Sequence, residues 1–140
     1  MEPSLRYVFD TNTLVSAACF PRSFGRRAFD YVLDHAAFLT CSGAIDELID
    51  VIGRPKFDRF TPQSPRIDFL DIYVPEAELI TIPRTLKICR DATDDKFLER
   101  AATGKADFLI TRDNDLLVLN PYQGVQICDD ERLLQLLAAP

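Results

Sequence analysis

The sequence has 140 residues, 47% hydrophobic and 27% charged, the composition of one ordinary globular domain expected to span 1–140. No stretch approaches the roughly 18 uninterrupted apolar residues of a membrane span, and Met1-Glu2-Pro3-Ser4 lacks the basic start of a signal peptide, so a cytoplasmic protein with no membrane partner is expected. With 22 acids against 16 bases the net charge is −6, which disfavours a broad nucleic-acid footprint unless several acids form a metal site; setting aside Asp10, Glu47, Asp94, Asp95, Asp113 and Asp115 leaves the remainder balanced.

Residues Arg6–Phe9 read as a short strand ending at Asp10. A helix follows with Leu14, Val15, Ala17 and Ala18 on its apolar face and Asn12 or Thr13 as its cap, and Pro21 stops it. A second helical period runs from Phe24 to Leu33, with Phe24, Ala28, Tyr31 and Val32 on one side. Ala37–Cys41 is a second strand, after which Ser42 caps a helix whose stripe is Ile45, Leu48, Ile49 and Ile52. Gly53-Arg54-Pro55 ends that helix. A short helix is expected around Arg66–Tyr73, burying Ile67, Leu70 and Tyr73, and a third strand over Glu78–Ile82. Asp94–Thr103 reads as a helix stopped by Gly104. Two more strands lie in Asp107–Thr111 and Val125–Cys128, and Leu133, Leu134 and Leu137 face inward from a last helix. Strands alternating with helices throughout imply an α/β fold with a mainly parallel sheet covered on both sides.

The four cysteines, Cys19, Cys41, Cys89 and Cys128, are far apart and read as small buried hydrophobes. The lone His35 has no partner at metal-ligand spacing and reads as a solvent-facing or capping residue.

The chemistry suggested by the sequence is carried by acids. In an open parallel α/β sheet, ligands collect beyond the carboxyl ends of the strands. Two strands here run into aspartate, Tyr7-Val8-Phe9-Asp10 and Leu109-Ile110-Thr111-Arg112-Asp113. Asp94 and Asp95 open a helix whose core stripe is Leu98, Ala101 and Ala102. At 100° per residue they fall roughly 40° and 60° to either side of Leu98, at the edge of the buried face. They could serve simply as partners of the helix dipole. Clustered carboxylates repel one another unless a cation sits among them, and a hard divalent ion with oxygen ligands is the natural occupant. Such an ion suits a phosphoesterase. Glu47 points nearly opposite its helix's stripe, where spacing alone makes it one acid on a solvated face beside Asp46 and Asp50.

Four motifs in order resemble those of the PIN-domain family. They are Val8-Phe9-Asp10-Thr11-Asn12-Thr13-Leu14-Val15-Ser16; Ser42-Gly43-Ala44-Ile45-Asp46-Glu47-Leu48 with Gly53-Arg54-Pro55-Lys56-Phe57; Cys89-Arg90-Asp91-Ala92-Thr93-Asp94-Asp95-Lys96-Phe97-Leu98-Glu99; and Lys105-Ala106-Asp107-Phe108-Leu109-Ile110-Thr111-Arg112-Asp113-Asn114-Asp115-Leu116-Leu117. The chain is most similar to the subgroup described as toxin components of toxin–antitoxin systems (VapC-like ribonucleases). Ala92 departs from that pattern, which often has proline there.

The resemblance implies a single PIN-like domain with about five strands, and ribonuclease activity with Mg²⁺ or Mn²⁺. It puts the catalytic and metal-binding acids at Asp10, Glu47, Asp95 and Asp113, with Asp94 or Asp115 as further ligand candidates and Asn12 and Thr111 as supporting hydrogen-bond partners. It also implies a homodimer and a small antitoxin protein that blocks the site. An RNA substrate would then need basic contacts, for which Arg22, Arg26, Arg27, Arg54 and Lys56 are the candidates, beside Arg59. Phe24 and Phe57 could stack on unpaired bases or serve as core anchors.

Three other readings are weaker. A catalytically idle PIN-like module that binds RNA or protein would be expected to lack one of the four acids. Asp10-Thr11-Asn12-Thr13 resembles the Asp-x-Asp-x-Thr loop of haloacid-dehalogenase-like phosphatases, but Asn12 cannot donate the proton that chemistry needs from its second acid. A nucleotide-binding Rossmann module lacks its Gly-x-Gly-x-x-Gly loop after the first strand.

Overall fold

Five strands, β1 (Arg6–Phe9), β2 (Ala37–Thr40), β3 (Glu78–Leu79), β4 (Phe108–Ile110) and β5 (Gln126–Cys128), form one sheet in the order β3-β2-β1-β4-β5. Every neighbouring pair is parallel, with Tyr7 opposite Phe38 on one side of β1 and Phe108 on the other. The structure, a computed structural model, describes residues 4–81 and 95–138, and for Asp95 and Lys96 the backbone alone.

Alternation along these short strands supplies two apolar faces. Tyr7, Phe9, Phe38, Ile110 and Cys128 face one core, shared with α1 (Thr11–Cys19), α2 (Phe24–His35), α3 (Ser42–Ile52), α4 (Gln63–Glu76) and α7 (Asp130–Ala138). Val8, Leu39, Leu109 and Ile127 face the other, covered by α5 (Asp95–Thr103) and α6 (Asn114–Leu117). The expected α/β architecture with helices on both faces of a parallel sheet is what forms. Because successive strands run outward from β1 through β2 to β3 and then return to β4 on its other side, the crevice opens at the carboxyl ends of β1 and β4.

Several elements differ from expectation in instructive ways. The apolar face of α2 buries Gly25, Ala28, Phe29 and Val32, whereas Phe24 is exposed and Tyr31 half-buried. Phe29 rotates the helix inward because its ring meets those of Phe38 at 4.9 Å and Phe69 at 4.5 Å. The helix also runs two residues further than the expected Leu33. On α3, Leu48 and Ile52 are buried but Ile49 is exposed, so the buried arc centres on Leu48 instead of lying midway along the expected stripe. That rotation brings Val51 and Glu47 to the edge of the crevice. Ser42 is the first residue of α3 and Cys41 occupies the cap position.

The greatest departure is α4, which extends over Gln63–Glu76 and buries Arg66, Phe69 and Tyr73 while leaving Ile67 exposed. Strand β5 starts at Gln126, since Val125 instead pairs antiparallel with Tyr122. Of the expected third strand, Glu78–Leu79 forms, and Ile82 lies outside the described residues. Helix α5 ends at Thr103 as expected, but the left-handed position after it belongs to Lys105 (φ 55°). Gly104 is there for close approach: a Cβ on it would lie 2.4 Å from Leu39 Cδ2.

Candidate active site

The sheet delivers Asp10 to the crevice by continuing its own ladder one residue past β1, where the Asp10 N–H donates to Ile110 O at 3.1 Å. At that point the chain turns into α1, and Asp10, not Asn12 or Thr13, is its N-cap. Its Oδ1 accepts from the Thr13 N–H at 2.7 Å, and its Oδ2 accepts from the Thr111 hydroxyl at 2.5 Å. Asp10 as a whole is 6% exposed. Burial raises its pKa above the ordinary carboxylate value; the bonds from Thr111 and Thr13 oppose that rise, and the neighbouring Asp113 adds to it. Asp10 is thus held at a helix N-terminus and by two donors, in a site where its charge remains costly.

Thr111, fully buried past the end of β4, joins two acids. Its hydroxyl donates to Asp10 and accepts from the Asp113 N–H at 3.1 Å. Asp113 caps α6 by accepting from the Asp115 N–H at 2.9 Å. Asp115 itself is exposed in the first turn of that helix.

Asp10, Glu47 and Asp113 line one open cleft of about 620 Å³ together with Asn12, Arg54, Lys56, Phe57 and Arg112. The Asn12 side chain is exposed at this cleft, and Thr13, not Asn12, supplies the second described hydrogen bond to Asp10. Asp95 begins α5, whose Phe97 also lines the cleft, but its side chain and the whole of Asp94 lie outside what is described. Among the described residues, no three carboxylates, thiols or imidazoles stand close enough together to grip one metal ion. The donor chemistry nevertheless suits a hard divalent cation, because the lining acids offer only oxygen and the desolvation penalty of the buried Asp10 is only partly offset by its hydrogen bonds.

The basic candidates divide in two. Arg54 and Lys56 line the cleft. Arg22, Arg26 and Arg27 are not among its lining residues: Arg26 pairs with Asp30 at 3.1 Å and lies over the Phe29 and Phe69 rings, while Arg27 lies over Phe24. Phe24 is exposed, and Phe57 is half-buried at the cleft wall beside a shallower recess that includes Arg59 and Phe60.

Two functional features escaped the sequence reading. One is Arg66, whose fully buried guanidinium donates to Ile52 O at 2.7 Å and Arg54 O at 3.1 Å and pairs with Asp58. It thereby ties down, from inside, the segment that carries Arg54, Lys56 and Phe57. An arginine directly after Ser64-Pro65 carries no sequence signal for burial, and only the carbonyls left open at and just past the end of α3 explain it. The other is Asp130, buried at the start of α7, which lines the cleft and pairs with Arg112 at 2.6 Å. The signal available was its position just past the end of β5, the rule that had identified Asp10 and Asp113.

Five parallel strands in this order, with acids at the carboxyl ends of β1 and β4, define an α/β domain with an acidic crevice. Residues 6–115 match the family described as PIN domain, and the chain belongs to that family. It is similar over 97% of its length to a solved structure, PAE2754 from Pyrobaculum aerophilum, at 21% identity and a TM-score of 0.55, covering 98% of that chain; this likeness concerns the fold. No curated protein matches the sequence. No helix among the described residues is long and apolar enough to cross a membrane.

Proposed function

We propose that this PIN-domain protein is a metal-dependent ribonuclease that hydrolyses RNA phosphodiester bonds. The observation that carries this reading is the Asp10–Thr111–Asp113 linkage, whose two acids line an open cleft together with Glu47. Asp10, Glu47, Asp95 and Asp113 would hold Mg²⁺ or Mn²⁺, with Asp94 and Asp115 as further candidates. The bound ion supplies the means to make water nucleophilic near neutral pH and to offset charge on the departing oxygen. The Thr111 hydrogen bond favours the ionised form of Asp10 against the effect of burial, the N-terminus of α1 favours the same charge, and the Arg54–Phe57 wall offers cationic and stacking contacts to the chain on either side of the cut.

The ordered motifs support a toxin component of a toxin–antitoxin system, acting in the cytoplasm as a homodimer and restrained by a small antitoxin protein that covers the cleft. The whole chain would act as one domain.

The test is cleavage of a mixed single-stranded and structured RNA pool by purified protein with Mg²⁺, Mn²⁺ or EDTA, beside Asp10→Asn. Cutting that needs metal and vanishes in the variant is the expected result. Cutting that survives both changes would remove the metal-site assignment. A well-folded protein that never cuts would be a binding module.

A further inference from the structure

We infer that Arg112 is a phosphate-binding residue of the cleft and that Asp130 is the residue that positions it. This rests on the nuclease reading above and adds to it a cation and a carboxylate on which that reading does not depend.

Arg112 is placed by its neighbours. Thr111 before it is locked to Asp10, and Asp113 after it caps α6, so the backbone carrying Arg112 is fixed on both sides. Its side chain is 57% exposed and lines the same cleft as the three acids. A solvated arginine in such a place would ordinarily sample many rotamers. Here Nη2 is held by Asp130 Oδ1 at 2.6 Å.

Asp130 is a strong anchor because contacts other than Arg112 fix its position. Its carboxylate is almost fully buried at the first turn of α7 and accepts from the Glu131 N–H at 2.9 Å. Its Oδ2 lies against the first turn of α2: a Cβ on Gly25 would come within 3.2 Å of it, nearer to it than to Thr13 O or Ser23 Oγ. The first turns of two helices therefore hold the side chain in place. The fork of a guanidinium offers further donors once one has been taken, and it suits a phosphodiester better than a point charge does. Removing most of its rotamer freedom beforehand lowers the entropic penalty of contacting phosphate. In a chain of net charge −6, whose cleft floor is acidic, a fixed cation at the rim is also what a polyanion requires in order to enter.

The experiment is the affinity of a short non-cleavable single-stranded RNA, measured against salt in the presence of Mg²⁺, alongside KM and kcat for its cleavable counterpart. Arg112→Gln should weaken binding about 10- to 100-fold and lower the salt slope by about 0.7, the contribution of one phosphate contact on a single strand. Arg112→Lys should restore the slope but only part of the affinity. Asp130→Asn keeps the cation and loosens its hold, so KM should rise several-fold with the salt slope unchanged, and the double variant should be no weaker than Arg112→Gln alone. Arg112→Gln with wild-type affinity and slope would overturn the phosphate role. Asp130→Asn with wild-type KM, or the two effects simply adding, would overturn the positioning role. Since Arg112 is exposed, its variants decide the matter even where Asp130→Asn fails to fold. Wild-type protein that binds RNA without cutting it would sink the nuclease reading and leave this one standing.

Discussion

The hydroxyl of Thr111 donates to Oδ2 of Asp10 across 101 residues of sequence, joining the ends of β4 and β1 at the floor of the cleft. The Thr111 hydroxyl oxygen also accepts from the N–H of Asp113, so one buried hydroxyl orients two acids.

Replacing it tests that arrangement directly. Thr111→Val keeps the shape and removes the hydrogen bond, which otherwise lowers the Asp10 pKa against the rise caused by burial. The acidic limb of the rate–pH profile should therefore move to higher pH, and cleavage at neutral pH should fall by about tenfold, the range expected for one hydrogen bond to a charged group. A profile with an unmoved acidic limb would show that Thr111 does not control the ionisation of Asp10.

Asp10 also predicts a pH dependence of stability. Its carboxyl pKa is raised in the folded state, so the folded protein binds the proton more tightly than the unfolded chain. The corresponding stability is fully present below the unfolded carboxylate pKa and is lost as pH rises through the folded value. In EDTA at pH 7.5, Asp10→Asn should melt a few degrees above wild type, and the difference should shrink at pH 4. Divalent metal should raise the melting temperature of wild type and leave the variant nearly unmoved. Thermal melts at both pH values, with and without Mg²⁺, decide this; a variant less stable than wild type at pH 7.5 in EDTA would contradict it.

Arg66 should matter more to the cleft wall than to the core. Arg66→Met leaves the carbonyls of Ile52 and Arg54 without their donor and should destabilise the protein by about 2–4 kcal/mol. Hydrogen exchange should rise first in residues 53–62, ahead of the strands. Uniform loss of protection across the sheet would mean that Arg66 supports the whole fold.

Gly104→Ala tests packing behind the sheet. The added methyl would lie 2.4 Å from Leu39 Cδ2 and 3.2 Å from two Ile80 carbons, so the segment must shift, at about 1–3 kcal/mol. Chemical denaturation should show a lower midpoint with an unchanged slope.

The sequence by itself determined the class of fold, the positions of β1 and β4 along the chain, and the residues at their carboxyl ends. Those features are local: a short apolar run of three residues followed by a polar break states both a strand and where it stops. Asp10 and Asp113 follow from that pattern, and the motif order linked them to Glu47. What only the tertiary structure decided was the rotation of elements about their own axes and the partners of buried polar groups. The α3 stripe did not show that Leu48, not Ile49, faces inward, because the aromatic cluster and α4 that set the rotation come from elsewhere in the chain. Nor does any neighbour of Arg66 or Asp130 in sequence reveal that one finds the open carbonyls of α3 and the other the first turn of α2. A buried charge is selected by the partners that compensate it, and those partners meet only when the chain has folded.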